Sequence, residues 1–254
     1  MCVVSSPVLI TIPISHFCEK ARWALDRAGI AYEERPHVQV VHRFAARRAG
    51  GGTTVPVLVR GNGTALTESA QIVDYADSRA PADRRLYPTN GATAEQIRAF
   101  EHELDERFGP DGRLWMYHAM HDERQLATRY ATTGVPAWQR RAFPIAYPVM
   151  IRVIDRFLGV SDEAAVRAEQ NVRRTFEEID AQMADGRPYL MGDRFTAADL
   201  TFAALAAPVL VPPEYGVPLP QPDELPEPMA AVVQELREHP AGQHALKMYR
   251  EQRR

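Results

Sequence analysis

A hydroxyl and a thiol lie three residues apart in Ser15-His16-Phe17-Cys18, where a β-rich run gives way to a helix. Free N–H groups and the dipole at a helix N-terminus stabilise an anion. Either group could therefore hold a thiolate or become one. The same residues also suit a plainer pair of roles, Ser15 as a helix cap and Cys18 as a core residue, and the spacing allows both. His16 reads as a proton acceptor or, more simply, as an exposed loop histidine. In Thr54-Val55-Pro56-Val57 the proline opens a strand, where it has no ladder N–H to lose. A cis Val55–Pro56 bond, the state of about 5–6% of X–Pro bonds, would turn the Val55 backbone outward to pair with an extended ligand; a trans bond would leave an ordinary strand edge. In Leu66-Thr67-Glu68-Ser69-Ala70, Ser69 could bind a carboxylate at a helix start and Glu68 an ammonium group. Together they would suit the two ends of an α-amino acid, with simple capping as the alternative.

The elements that must position these residues can be read from local pattern. Val8 to Ile12 is a short β-rich run, Phe17 to Ala28 a helix stopped by Gly29, and Ala31 to Arg35 a less apolar strand. His42 to Arg48 is a short basic helix broken by Gly50-Gly51-Gly52. Val55 to Val59 and Thr64 to Leu66 flank Gly61-Asn62-Gly63, a hairpin signal because Asn-Gly tolerates positive φ. Ser69 to Ser78 closes the unit. The order βαβ, α, ββ, α predicts an α/β domain over residues 1–80, followed by a linker over 81–93. The rest, 94–254, predicts an all-α domain. Gly109 to Gly112 is expected to interrupt its first helix, Pro144 and Pro148 to segment its middle, and the eight prolines from Pro208 to Pro228 to make an irregular loop. Arg237 to Arg254 reads as a polar helix or tail. Thr196 and Asp199 are spaced as a capping box opening a buried helix, with Phe195 and Leu200 as its hydrophobic staple.

Composition narrows the classes. Lys+Arg 30 against Asp+Glu 33 leaves a net charge of −3, so neither nucleic acid nor an anionic membrane is expected as a partner. The apolar run Leu200 to Val211, about a dozen residues, falls short of the roughly 20 a membrane helix needs. No basic region precedes Val8 to Ile14, and Ser5-Ser6-Pro7 interrupts it, so no signal peptide is expected. Two cysteines, Cys2 and Cys18, make no disulfide framework and fit a reducing, cytoplasmic setting. His118, His121 and Asp122 have no further ligand at matching spacing, so no metal site is expected.

Taken together, the order of these motifs resembles the glutathione transferase superfamily over nearly the whole chain. The resemblance rests on Ser15-His16-Phe17-Cys18, Arg22-Trp23-Ala24-Leu25, Val55-Pro56-Val57-Leu58, Glu68-Ser69 with Ile72, Leu86-Tyr87-Pro88, and Pro188-Tyr189-Leu190-Met191-Gly192-Asp193 before the capping box. It implies a thioredoxin-like domain followed by a helical one, with glutathione as co-substrate and no metal. Val55, before a cis Pro56, would pair with the cysteinyl part of glutathione, and Glu68 and Ser69 would hold its γ-glutamyl end. Phe17 belongs to the same turn, and His42 with Arg43 are the candidates by region for the glycine carboxylate. Ser15 would donate a hydrogen bond to the sulfur and favour thiolate. A small apolar electrophile would then accept the sulfur, in a detoxifying homodimer. Trp115, Met116, Tyr117, Met120, Tyr130 and Trp138 fall where the family builds its electrophile pocket; an enlarged helical core would explain them equally. Two other roles stay open: a binding protein without turnover, and a glutathione-dependent oxidoreductase using Cys18. A dithiol mechanism is unexpected, because Ser15 stands where a first cysteine would be.

Overall fold

The computed structural model describes residues 6–253; Cys2 and the start of the predicted first domain lie outside the described residues. Strands β1 (Val8–Thr11), β2 (Glu33–Pro36), β3 (Val57–Val59) and β4 (Ala65–Leu66) form one sheet in the order β2-β1-β3-β4. β1 is central and carries the buried Leu9, Ile10 and Thr11. It runs parallel to β2, with Val8 opposite Glu33, and antiparallel to β3, with Val8 opposite Val59. β2 is an edge strand that alternates exposed and half-buried residues, which accounts for its weak apolar pattern. The β3–β4 turn closes as expected, with Gly63 at φ 83° and its N–H donating to the Arg60 carbonyl at 2.8 Å.

Helices α1 (His16–Arg27), α2 (His42–Arg48) and α3 (Ser69–Asp77) complete this half. The segment expected to be a linker is short and pinned. Asp77 Oδ1 accepts from the backbone N–H groups of Leu86 (2.5 Å) and Tyr87 (3.3 Å), and both side chains are buried.

The second half is helical among the described residues, as predicted, but several of its boundaries differ. α4 (Gly91–Glu103) runs through a π-helical turn, Leu104–Phe108, straight into α5 (Gly109–Ala119). Gly109 and Gly112 therefore do not break the helix, and close packing requires glycine only at Gly109. A Cβ at Gly109 would lie 2.7 Å from Phe17 Cζ, and one at Gly112 would lie 3.7 Å from the Leu205 carbonyl oxygen. After α6 (Arg124–Ala131), α7 (Ala137–Leu158) is one continuous helix that contains Pro144 and Pro148. Pro148 is exposed, Pro144 is half-buried, and the first carbonyl left without a donor belongs to the exposed Arg140, where water can satisfy it.

Helix α8 (Asp162–Met183) precedes α9 (Ala197–Leu210), every residue of which is buried. Pro208 belongs to α9 rather than to the loop, so the irregular stretch begins at Pro212 and ends where α10 (Glu227–Glu238) starts. Of the polar helix or tail expected at the end, the helix forms: α11 (Pro240–Gln252), which buries Ala241, His244, Ala245, Met248 and Tyr249. It docks on the first domain, where the Trp23 indole N–H donates to the Gln252 carbonyl at 3.1 Å. α9 packs against α1, α4, α5, α10 and α11 and is the axis of the core.

Candidate functional site

The β1–α1 turn, the segments around residues 39–43 and 53–55, and helices α5 and α7 enclose a cleft with about 880 Å³ of open space. Ser15 stands on its wall at the start of α1 in extended backbone (φ −74°, ψ 121°). Its Oγ accepts a long hydrogen bond from the Cys18 N–H (3.4 Å). The two sequence readings of Ser15 are thus compatible, because a hydroxyl that accepts in a cap still has its own O–H to donate.

Cys18 does not share this position. It is fully buried among core residues and absent from the cleft wall. Burial pushes its thiol up, and the Arg22 guanidinium opposes that only in part. A buried, raised thiol is a poor nucleophile. Peptide-level mass spectrometry after iodoacetamide treatment of the native protein should find Cys18 unmodified, with labelling only on unfolding; rapid native labelling would contradict the packing described.

His16 corrects the exposed-loop expectation. It is the first residue of α1, it is buried, and its Nε2–H donates to the Gly109 carbonyl at 3.1 Å. Burial, with the Arg113 charge adding to it, lowers its pKa to about 3. The imidazole is neutral at physiological pH, with one nitrogen committed to α5. Beside it Phe17 packs on Gly109 and lines the cleft.

The Val55–Pro56 bond is cis, the form the resemblance implied. Val55 lines the cleft with Thr53 and Thr54, whereas Pro56 is buried behind it. His42 and Arg43 line the same cleft, and burial brings the His42 pKa down to about 4, so this ring too is neutral. Glu68 and Ser69 do not line the cleft. They stand at the start of α3, which follows the β3–β4 hairpin, with Ser69 buried and Glu68 exposed. Partial burial, then the charges of Asp105 and Glu106, raises the Glu68 carboxyl. A negative field where an ammonium group was expected is electrostatically consistent with that role.

Two cleft residues escaped sequence reasoning, Gln39 and Arg113. Both carry buried polar atoms without a partner among the described residues: Gln39 Oε1 and Arg113 Nε, joined by His42 Nδ1 in the same cleft. Buried polar atoms are normally paired, so three unpaired ones around a single cleft mark it as a place for a polar ligand. No local motif flagged Arg113, since its place depends on how α5 packs on a turn far away in sequence.

A second cavity, almost entirely apolar, adjoins the cleft; the two share Ile14, Gln39, Met116, Tyr117 and Ile154. Met116, Tyr117, Met120 and Tyr130 line it, together with Phe143, Tyr147 and Met150 of α7. The rest of the expected aromatic wall goes elsewhere. Trp115 is buried and donates to Glu169 Oε2 at 3.1 Å, and Trp138 is exposed. His118 pairs with Asp162 at 2.9 Å and His121 with Asp155 at 3.1 Å. Among the described residues no group of three or more His, Cys, Asp or Glu could hold a metal ion. No helix among them is long and apolar enough to cross a membrane. α7 roofs both cavities and is latched by Gln139, whose Oε1 accepts from the Val38 N–H at 2.9 Å.

Comparison with known proteins agrees with this architecture. Residues 9–84 match the family described as glutathione S-transferase, N-terminal domain, and residues 136–234 match glutathione S-transferase, C-terminal domain. No curated protein matches the chain in sequence. Among solved structures, a glutathione S-transferase of Ceriporiopsis subvermispora in complex with glutathione superposes with a TM-score of 0.67 at 17% identity, over 98% of each chain. The theta class enzyme of Xanthomonas axonopodis pv. citri, with glutathione bound, gives 0.54 at 21% identity over 95% of this chain and 97% of that one. The Tau class enzyme of mango, Mangifera indica, gives 0.54 at 16% identity over 98% of this chain and 96% of that one.

Proposed function

This chain belongs to the glutathione transferase superfamily, and on that premise we propose that it binds glutathione in the cleft at Ser15 and transfers the sulfur to a small apolar electrophile. The observation that carries the reading is the pairing of Ser15, at the N-terminus of α1, with Val55, before a cis proline, on the walls of one cleft. The fit to glutathione is supported by the unpaired Gln39 Oε1 and His42 Nδ1, which a peptide's amide and carboxylate groups can satisfy.

On this reading the Val55 backbone pairs with the cysteinyl unit, and Glu68 and Ser69 hold the γ-glutamyl end. Arg43 with the neutral His42 takes the glycine carboxylate. Ser15 Oγ–H donates to the sulfur, and the N–H groups of the first turn of α1 face the same charge. The thiol proton passes to water, and the sulfur lone pair forms a C–S bond at the electrophilic carbon. In a substitution the electron pair of the broken bond leaves with the departing group. The apolar cavity behind Met116 and Tyr117 takes the body of the acceptor and excludes water. Cys18, buried and raised, offers nothing to the alternative of a thiol oxidoreductase. The family resemblance also supports a homodimer and a detoxifying role in the cytoplasm as parts of the same proposal.

Calorimetric titration with reduced glutathione tests this directly. Wild type should bind saturably, and Ser69→Ala should bind about tenfold more weakly, the scale of one hydrogen bond to a charged group. Absence of binding by the wild type would end the proposal, while equal affinity of the variant would remove Ser69 from the site.

A further inference from the structure

The geometry points to Arg113 as the residue that selects the acceptor: an apolar molecule bearing an anionic group, with its body in the apolar cavity and its anion on the guanidinium. This rests on the proposed transferase reading only in calling that molecule the electrophile; the binding preference itself requires no turnover.

Arg113 is a cation placed where a surface arginine would not be. Its Nε is buried and unpaired, and none of the ion pairs among the described residues includes it. Burial lowers its pKa, a cost that an adjacent carboxylate can offset. Lys20, for comparison, is fully buried but pairs with Glu101 at 3.1 Å and Asp105 at 2.7 Å. Among the described residues no carboxylate forms an ion pair with Arg113. Asp155, whose field reaches Tyr117, gives Oδ2 to His121 at 3.1 Å and keeps its buried Oδ1 without a hydrogen-bond partner. The other titratable groups facing Arg113, His16 and Tyr117, are neutral near pH 7, because burial lowers the one and raises the other. The guanidinium lies over the Phe17 ring at 6.0 Å, and with no carboxylate beside it a ligand's anion can supply the counter-charge.

Its position assigns the anion to the acceptor rather than to glutathione. Arg113, Met116 and Tyr117 are spaced i, i+3, i+4 on α5 and so share one helix face. Met116 and Tyr117 line both the apolar cavity and the cleft; Arg113 lines only the cleft. A molecule reaching from the apolar cavity toward Ser15 therefore leaves Met116 and Tyr117 and meets Arg113. The glutathione contacts proposed above come instead from the first domain, on the other side of the turn.

Two dyes with the same rings separate charge from bulk: anilinonaphthalene sulfonate, and phenylnaphthylamine, which lacks the sulfonate. Fluorescence titration of Arg113→Met should show the sulfonate dye binding about tenfold more weakly than to wild type, with the neutral dye unchanged within about twofold. Arg113→Lys, which keeps a cation, should recover part of the sulfonate preference. Equal weakening of both dyes, or of neither, would overturn the assignment. Wild type itself provides a check independent of folding: decanoate should displace the sulfonate dye at a concentration about tenfold below that of decanol, and equal potency would overturn the proposal. Glutathione affinity of Arg113→Met, by calorimetry, should match wild type; a matching tenfold loss would move Arg113 into the tripeptide site and refute its role toward the acceptor. A wild type that binds no glutathione yet shows the dye pattern would sink the transferase reading and leave this assignment standing.

Discussion

Ser15→Ala should raise the pKa of the bound glutathione thiol by about two units and lower kcat/KM for an electrophile about 100-fold near neutral pH, a loss of ~2.7 kcal/mol of differential stabilisation. On the proposed reading the thiolate would accept the Ser15 hydrogen bond, so removal of the hydroxyl should return the thiol toward its free value. Below that raised pKa the rate should fall with the thiolate fraction; well above it, variant and wild type should converge. The thiolate absorbance of the complex, followed against pH, measures the shift. A second effect must be separated. The same oxygen caps α1 through the Cys18 N–H at 3.4 Å, and loss of a cap costs about 1 kcal/mol of stability. Ser15→Thr keeps a hydroxyl and should restore both properties. An alanine variant that is less stable but has an unchanged thiol pKa would leave Ser15 with a structural role alone.

The largest expected stability effect lies far from the cleft, at Asp199. Its carboxylate is fully buried and accepts from the Leu190 N–H (2.8 Å), the Thr196 N–H (2.9 Å), the Thr196 hydroxyl (3.0 Å) and the His244 Nε2–H (3.0 Å). One side chain thus ties the start of α9 to the turn before it and to α11. Asp199→Ala leaves all these donors buried without an acceptor, so we expect a loss of about 3–5 kcal/mol. Urea unfolding should show a lower midpoint with an unchanged slope. Asp199→Asn keeps the shape and one acceptor oxygen, and should lose less. A midpoint unmoved in the alanine variant would contradict the network. Because Asp199 lies outside both cavities, glutathione affinity per folded molecule should not change.

Much of the candidate site's local placement was legible because its devices are local. A strand followed by a helix cap places Ser15 whatever the rest of the chain does. A proline at the head of β3 needs no distant partner to be recognised, and neither does the Thr196–Asp199 spacing that opens α9. The misread features share an opposite character. Gly109 and Gly112 look like helix breakers because glycine has poor helix propensity; both sit in a continuous helix, and at Gly109 the Phe17 ring leaves no room for a Cβ. Pro144 and Pro148 look like stops, but on a helix whose outer side faces water the lost hydrogen bonds can be replaced. α11 looks polar in sequence because its apolar residues occupy a single face, and only the surfaces of α8, α9 and α10 show that this face is covered.

What the sequence determined by itself is the order of elements, the family, and the identity of Ser15, Val55 and Pro56, since each depends on contacts within a few residues. Tertiary structure alone decided which of Ser15 and Cys18 faces the cleft. It also buried His16 against a carbonyl 93 residues away, and latched α7 over the cleft through a hydrogen bond spanning 101 residues. It also placed Arg113 on the wall of that cleft with its Nε unpaired. Burial and pairing belong to surfaces brought together from distant parts of the chain, and they, rather than residue type, decide whether a thiol is inert, an imidazole neutral or a guanidinium free to bind.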